Sequence, residues 1–324
     1  MSVFVLGWWA GWWNALRPPE LHIPDGFLSV AIALIGWLVM LVMLAVAVRR
    51  SQNTIGERQM PLLGIMAAFI FAAQMINFQV AGGTSGHLLG GALAAIALGP
   101  WAAMLVMTSV IGVQALLFQD GGLLALGTNI LNMGMLTALI AYGLYRAVAQ
   151  RSRTTRLVVA GGAAWLSVMG AALATSLQLW LSGTANLRLV IPAMLGVHAL
   201  IGLGEALITV AALGFILRTR PDLIDATPAR GGRGWIIGGV IAAVAVVVLA
   251  PLASADPDGL ERVAQDIGFL ARGQDAPYTV LPDYTIPGLG ESGLSTIIAG
   301  LVGIVVVALL AYGAAYAVRR RRTA

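Results

Sequence analysis

A series of continuous apolar runs, almost free of charged residues, limits what this chain can fold into more than any other feature. Several runs reach about 20 residues, the length a helix needs to cross a ~30 Å hydrocarbon core. A spanning segment must satisfy its own backbone hydrogen bonds, so only helices or closed barrels qualify. The runs are continuous rather than alternating, which selects helices. Only 10% of the residues are charged and 59% are hydrophobic, whereas soluble domains carry about 25% charged residues. A chain so depleted cannot clothe a water-facing surface, and lipid is its solvent.

Spans are predicted at 27–47, 61–79, 88–99, 101–118, 123–145, 157–182, 190–217, 234–253 and 294–317. The third is short and stops at Gly99-Pro100, which marks it as broken or re-entrant. The expected fold class is an all-α polytopic membrane protein. A seven-helix body covers 21–217 and a cytoplasmic, Arg-bearing linker covers 218–233. A module at 234–324 adds two C-terminal transmembrane helices with a hydrophilic loop, 254–293, between them. Residues 1–20 form an N-terminal extension rich in Trp (Trp8, Trp9, Trp12, Trp13) and closed by Arg17-Pro18-Pro19-Glu20. Its apolar part is too short to span, and it lacks the basic start of a signal peptide.

Charge placement orients the spans. All 19 basic residues are Arg. With His22 outside, Arg49, Arg50, Arg58, Arg146, Arg151, Arg153, Arg156, Arg218, Arg220, Arg230, Arg233 and Arg319 to Arg322 fall inside. Only Arg17, Arg188, Arg262 and Arg272 fall outside, the asymmetry the positive-inside rule demands. The 254–293 loop is then external and acidic, and the C-terminus is cytoplasmic. The net charge of +5 follows from this topology and gives no reason to expect nucleic acid.

Several chemistries are excluded. The absence of Cys removes disulfides, iron–sulfur clusters and thiolate metal sites. No nucleophile triad, HExxH, Walker A sequence or paired catalytic carboxylates are present, so the chain neither hydrolyses ATP itself nor reads as an intramembrane enzyme. No cofactor is expected.

Three histidines remain. His22 precedes the first span and His87 closes a Gly-rich loop, Ala81-Gly82-Gly83-Thr84-Ser85-Gly86-His87, both on the outer side. The loop reads either as part of a pocket, since irregular backbone is tolerated where it lines a cavity, or as an ordinary external loop. His198 lies inside the seventh span on the same helix face as Glu205, two turns on. That pair reads first as polar packing between helices, and second as a functional site within the membrane. Gln74, Asn77, Gln114, Gln119, Asp120, Asn129 and Asn132 gather near the outer ends of the second, fourth and fifth spans. They either orient the histidines or hydrogen-bond one helix to another.

The stretch His22-Ile23-Pro24-Asp25-Gly26-Phe27-Leu28-Ser29 resembles the CbiM/NikM family, the cobalt- and nickel-binding S components of energy-coupling-factor (ECF) transporters. Similar stretches recur at 61–78, 82–101, 114–134 and 197–209, so the resemblance covers about 21–217. The C-terminal module resembles the accessory NikN-like subunit through Pro257-Asp258-Gly259-Leu260-Glu261, and its fusion points mildly to nickel. The resemblance implies that Ni2+ or Co2+ is bound as substrate by the amine of a chain-initial residue, by the amide and imidazole of the residue after it, and by the loop His. Those positions are Leu21, His22 and His87, with Asp25, Asn77, Thr84, Ser85 and Asn129 as supporting residues. Amine, amide and imidazole nitrogens close successive chelate rings, and a further nitrogen completes a square plane, which suits Ni2+ and Cu2+. The amine must be free, so the mature chain is expected to start at Leu21, by initiation there or by cleavage after Glu20. If the extension is retained, the site must use other ligands.

The function implied is the substrate-capture permease subunit of an ATP-driven ECF importer in a bacterial or archaeal cell membrane. Its partners would be a coupling transmembrane subunit and two cytoplasmic ATPases. Capture would occur on the outer face, with small residues Gly90, Gly91, Ala92, Ala94 and Ala95 allowing close contact with the coupling subunit. The alternative is an ion-gradient-coupled carrier or channel working without ATPases.

Overall fold

The computed structural model describes residues 22–52, 54–56, 59–224 and 234–323. The N-terminal extension, Leu21 and most of the 218–233 linker lie outside the described residues. The fold is all-α apart from one small hairpin.

Helix α1 (Val30–Ser51) is capped by Ser29, whose hydroxyl accepts from the Ile32 amide, and ends in Arg49 and Arg50, cations favoured at a helix C-terminus. Its outer face leaves Leu34, Ile35, Leu38 and Leu41 exposed. A stripe of that size is a lipid-facing surface in a chain of this hydropathy. Helix α2 (Gln59–Gln74) leads into the hairpin of β1 (Phe78–Gln79) and β2 (Ser85–Gly86), paired Phe78 to Gly86 and Gln79 to Ser85. Helix α3 (Gly91–Leu98) is short, as the Gly99-Pro100 break predicts, and Pro100 then opens α4 (Pro100–Phe118) at a position where its missing N–H costs nothing.

The fifth span runs from 126 to 146 as α5, with a π-helical stretch at Ile130–Leu136 in its middle. Helices α6 (Arg153–Leu181) and α7 (Leu187–Thr219) form a long antiparallel pair pinned by the Trp165 indole N–H donating to the Ala199 carbonyl. Among the described residues six helices are long and apolar enough to cross a membrane, and α2 is a shorter apolar helix.

The C-terminal module is α8 (Gly234–Leu249), a short amphipathic α9 (Gly259–Ile267) and α10 (Gly293–Thr323). Both long helices pack on α2. Small residues set the approach: a side chain at Gly64 would meet the Ala308 carbonyl, one at Gly300 the Met75 thioether, and one at Gly303 the Phe71 ring.

The segment between these helices is no solvated connector. The Gln274 amide donates to the Asp25 carbonyl, that of Leu281 to Leu117, and that of Ser254 to Asn77. Phe269 meets Phe27 edge-on at 5.0 Å, and Tyr284 stacks on Phe118 at 4.7 Å. At Gly26, φ is +88° and a Cβ would strike the Arg272 carbonyl, so only glycine lets the two backbones meet there. The segment folds over one end of the helix bundle as a lid.

One expectation is corrected. The small residues Gly90, Gly91, Ala92, Ala94 and Ala95 are all buried inside this chain. Gly91 lies against the Met133 carbonyl and Thr137 of α5. Their smallness serves packing between α3 and its neighbours and leaves no face for a coupling subunit.

Candidate metal centre

His22 and His87 meet beneath the lid. Their ring centroids are 5.7 Å apart with an interplanar angle of 62°. Both are buried, at 2% and 6% exposure.

The His22 segment is irregular backbone, so each of its polar groups needs a partner elsewhere. The Ile23 amide donates to the Asn129 side-chain carbonyl (3.1 Å), and the Asn129 amide donates back to the Ile23 carbonyl (3.0 Å). Asp25 accepts from the Leu123 and Ala125 amides, each at 3.0 Å, so it fastens the segment to the entrance of α5. Gly121 has φ +94°, and a Cβ there would lie 2.7 Å from the His22 Cβ, so the 119–122 turn can cradle the histidine only with glycine at this position.

His22 Nδ1 lies 2.8 Å from a carboxylate oxygen of Asp120. The other oxygen of Asp120 accepts from the Tyr284 hydroxyl (2.6 Å), which in turn accepts from Gln114 (3.2 Å). Burial opposes a charge on the His22 ring, but Asp120 more than offsets it, so the imidazole's pKa is raised. Burial likewise pushes the Asp120 carboxyl up, and His22 and the Tyr284 hydroxyl more than reverse this, leaving it below the usual carboxylate range. His22 Nε2 is buried without a hydrogen-bond partner among the described residues. A chelate through the amide and ring of His22 closes on Nδ1, the atom Asp120 holds; Nε2 is the donor left open as the ring stands.

His87 is set by its loop. Its Nδ1 contacts the Leu88 carbonyl (3.0 Å), and its Nε2 lies 4.0 Å from an Asp258 oxygen. The next two amides, of Leu89 and Gly90, donate to the two carboxylate oxygens of the fully buried Glu205 at 2.6 and 3.0 Å. Gln74 of α2 donates to the Leu89 carbonyl at 2.8 Å. Ser85 ties the loop to the lid, its hydroxyl donating to the Asp256 carbonyl (2.7 Å) and its amide to that of Pro257 (2.8 Å).

A cavity of about 60 Å³ is lined by His22, His87, His198, Asn129, Asn132 and Asp258 among others. On that measure a water needs roughly 10–15 Å³, so an ion with a few waters fits. A larger vestibule of about 690 Å³ is bounded chiefly by the lid, with Glu261, Asp275 and Asp283 on its wall. His22 and Leu260 line both spaces, so His22 stands at the boundary between them. Among the described residues no three His, Asp or Glu side chains converge as a metal-holding group. Two imidazoles are the convergent side-chain donors, and further ligands must be backbone nitrogens, water or a group brought in on binding.

The structure thus brings together His22, His87 and Asn129, and uses Asp25 and Ser85 as braces. Thr84 and Asn77 are buried but contribute backbone carbonyls, to Val80 and Ser254. Leu21 lies outside the described residues. The sequence favours helix packing for His198; it lines the cavity instead, with Nδ1 2.8 Å from the Met194 carbonyl. Glu205 is not its partner but the clamp of the His87 loop. The sequence marks Asp120 only as one of a polar group and gives no sign of Tyr284. The pointer to Asp120 was its place in Asp120-Gly121-Gly122, an acid beside two backbone-permissive residues.

Proton and metal compete for the His22 ring. Ni2+ affinity is expected to fall as pH drops through a value above 6.5, the ordinary imidazole figure. In Asp120→Asn the carboxylate that raises the pKa is gone while burial, which lowers it, remains, so the fall moves to lower pH. Titrations with Ni2+ across a pH series check this, and an unmoved midpoint contradicts it. The high-pH plateau reports the ligating atom: weaker binding in the variant places the ion on Nε2, tighter binding on Nδ1.

Residues 22–223 match the family model described as CbiM, cobalt uptake substrate-specific transmembrane region, and residues 233–320 match the PDGLE domain. A relative from Archaeoglobus fulgidus, named as a fused nickel transport protein NikMN, is 36% identical over 297 residues, covering 90% of this chain and 97% of its own. The fused nickel transport protein NikMN of Rhodobacter capsulatus is 32% identical over 255 residues, 72% of each chain. The crystal structure of a truncated transition metal transporter superposes with a TM-score of 0.56 at 33% identity, covering 61% of this chain and 98% of that one.

Proposed function

The chain belongs to the CbiM family and carries a PDGLE domain, and from that premise we propose that it is the substrate-capture subunit of an ATP-driven ECF importer for Ni2+ or Co2+. It is a multi-pass membrane protein of the transition-metal transport class, with no enzymatic role. The single observation that carries the capture reading is the meeting of two buried imidazoles, one with an open nitrogen, across an ion-sized cavity under the lid. His22 and His87 are the side-chain ligands, with the Leu21 amine as a further ligand in a chain that starts there. Asp25 and Asn129 hold the first, and Ser85 and Glu205 hold the loop of the second.

The Arg distribution favours an outward-facing site and a cytoplasmic C-terminus. With no Walker A sequence in the chain, ATP-driven import calls for partner ATPases, and the ECF reading adds a coupling membrane subunit. Fused relatives named for nickel favour nickel over cobalt.

The test is uptake of radioactive Ni2+ and Co2+ by cells expressing the chain with or without coupling and ATPase subunits. Uptake is expected only in their presence. Undiminished uptake in their absence would overturn the ATP-driven reading and favour a gradient-coupled carrier.

A further inference from the structure

We propose that Asp258, carried by the C-terminal module, is a cargo-binding residue: its buried carboxylate supplies negative charge to a divalent ion held between His22 and His87. This inference rests on the metal-capture reading above.

An ion entering a water-poor cavity loses hydration, and a dication there is stable only if negative groups stand close by. The convergent donors, two imidazoles, are neutral when they bind metal. Asp120 lies behind His22, on the Nδ1 side at 2.8 Å. On the His87 side the cavity wall holds one acidic residue, Asp258, 3% exposed and with an oxygen 4.0 Å from His87 Nε2. A carboxylate stands behind or beside each imidazole, and the two charges together match one divalent ion.

Asp258 also has a plain structural task. One of its oxygens caps α9 by accepting from the Glu261 amide at 2.7 Å. The oxygen nearest His87 is the second one, so the cap does not use it up.

The cap makes the test clean, because Asn and Ser cap helices about as well as Asp. Asp258→Asn and Asp258→Ser in the full chain keep the α9 cap and remove the charge. Titration with Ni2+ alone in detergent is expected to show affinity lowered by about 10–100-fold in both, the range for removing a group that supports a metal ligand. The metal-free melting temperature should stay at the wild-type value, while its rise on adding Ni2+ shrinks.

Wild-type affinity in both variants overturns the proposal. So does a loss of affinity matched in both by a lower metal-free melting temperature, which would assign Asp258 to the cap alone. A wild-type chain that binds neither Ni2+ nor Co2+ overturns the capture reading and this inference together; wild-type binding with unaffected Asp258 variants overturns this inference only.

Discussion

His87→Ala is expected to lose high-affinity Ni2+ binding, with the dissociation constant raised by at least about 100-fold. Changes to groups that merely support a ligand cost about 10–100-fold, and on the capture reading this one removes a ligand outright. No other ring is seen to meet His22 among the described residues, so nothing takes over the nitrogen that is lost. His198 borders the same cavity, but it is the His87 ring that meets His22, at 5.7 Å between centroids, so His198→Ala should change affinity far less. Calorimetric titration of both variants with Ni2+ checks the contrast. Unchanged affinity in His87→Ala would remove His87 from the site; equal losses in both would make His198 a ligand too.

The second large effect is on stability. Glu205 offers both carboxylate oxygens to the Leu89 and Gly90 amides from a fully buried position. Glu205→Gln keeps the shape but has one carbonyl oxygen for two donors, and its NH2 faces an N–H. Losing a charge-assisted hydrogen bond costs roughly 1.5–3 kcal/mol, and the stranded amide adds about 1–3 kcal/mol. The variant should lose roughly 2.5–6 kcal/mol of stability and bind Ni2+ more weakly, because His87 sits two residues before the clamp. Thermal unfolding in detergent and Ni2+ titration measure the two effects. Full wild-type stability and affinity would show that the loop holds its shape without Glu205.

The helices were legible because their cause is local. A long uncharged run can do little else in lipid, and α1, α4, α6 and α7 begin or end within a few residues of the predicted spans. Gly99-Pro100 announced the short α3 for the same reason. The site was legible only in part. His22 and His87 stood out as rare imidazoles beside glycine-rich backbone. The His22–Asp120 bond spans 98 residues and the Tyr284–Asp120 bond 164, and no periodicity records a meeting of two loops. The amphipathic α9 was hidden in a segment that reads as polar throughout. Pro-Asp-Gly occurs both at 24–26 and at 257–259, and in both copies the Asp accepts from backbone N–H, of the turn just before α5 or of α9. The repeated tripeptide was visible; that its second copy faces the metal cavity required the fold.

The lid and the cavity it closes belong to one polypeptide, and this has a kinetic meaning. Were the lid on a separate subunit, each capture-competent site would depend on an encounter, and occupancy would follow the membrane concentration of the partner. A covalent tether turns docking into a first-order event at an effective concentration that reaches millimolar for short flexible connections. Every copy of this chain carries its own cover in fixed one-to-one ratio, so the fraction of cavities that are covered does not depend on how much of the protein the cell makes.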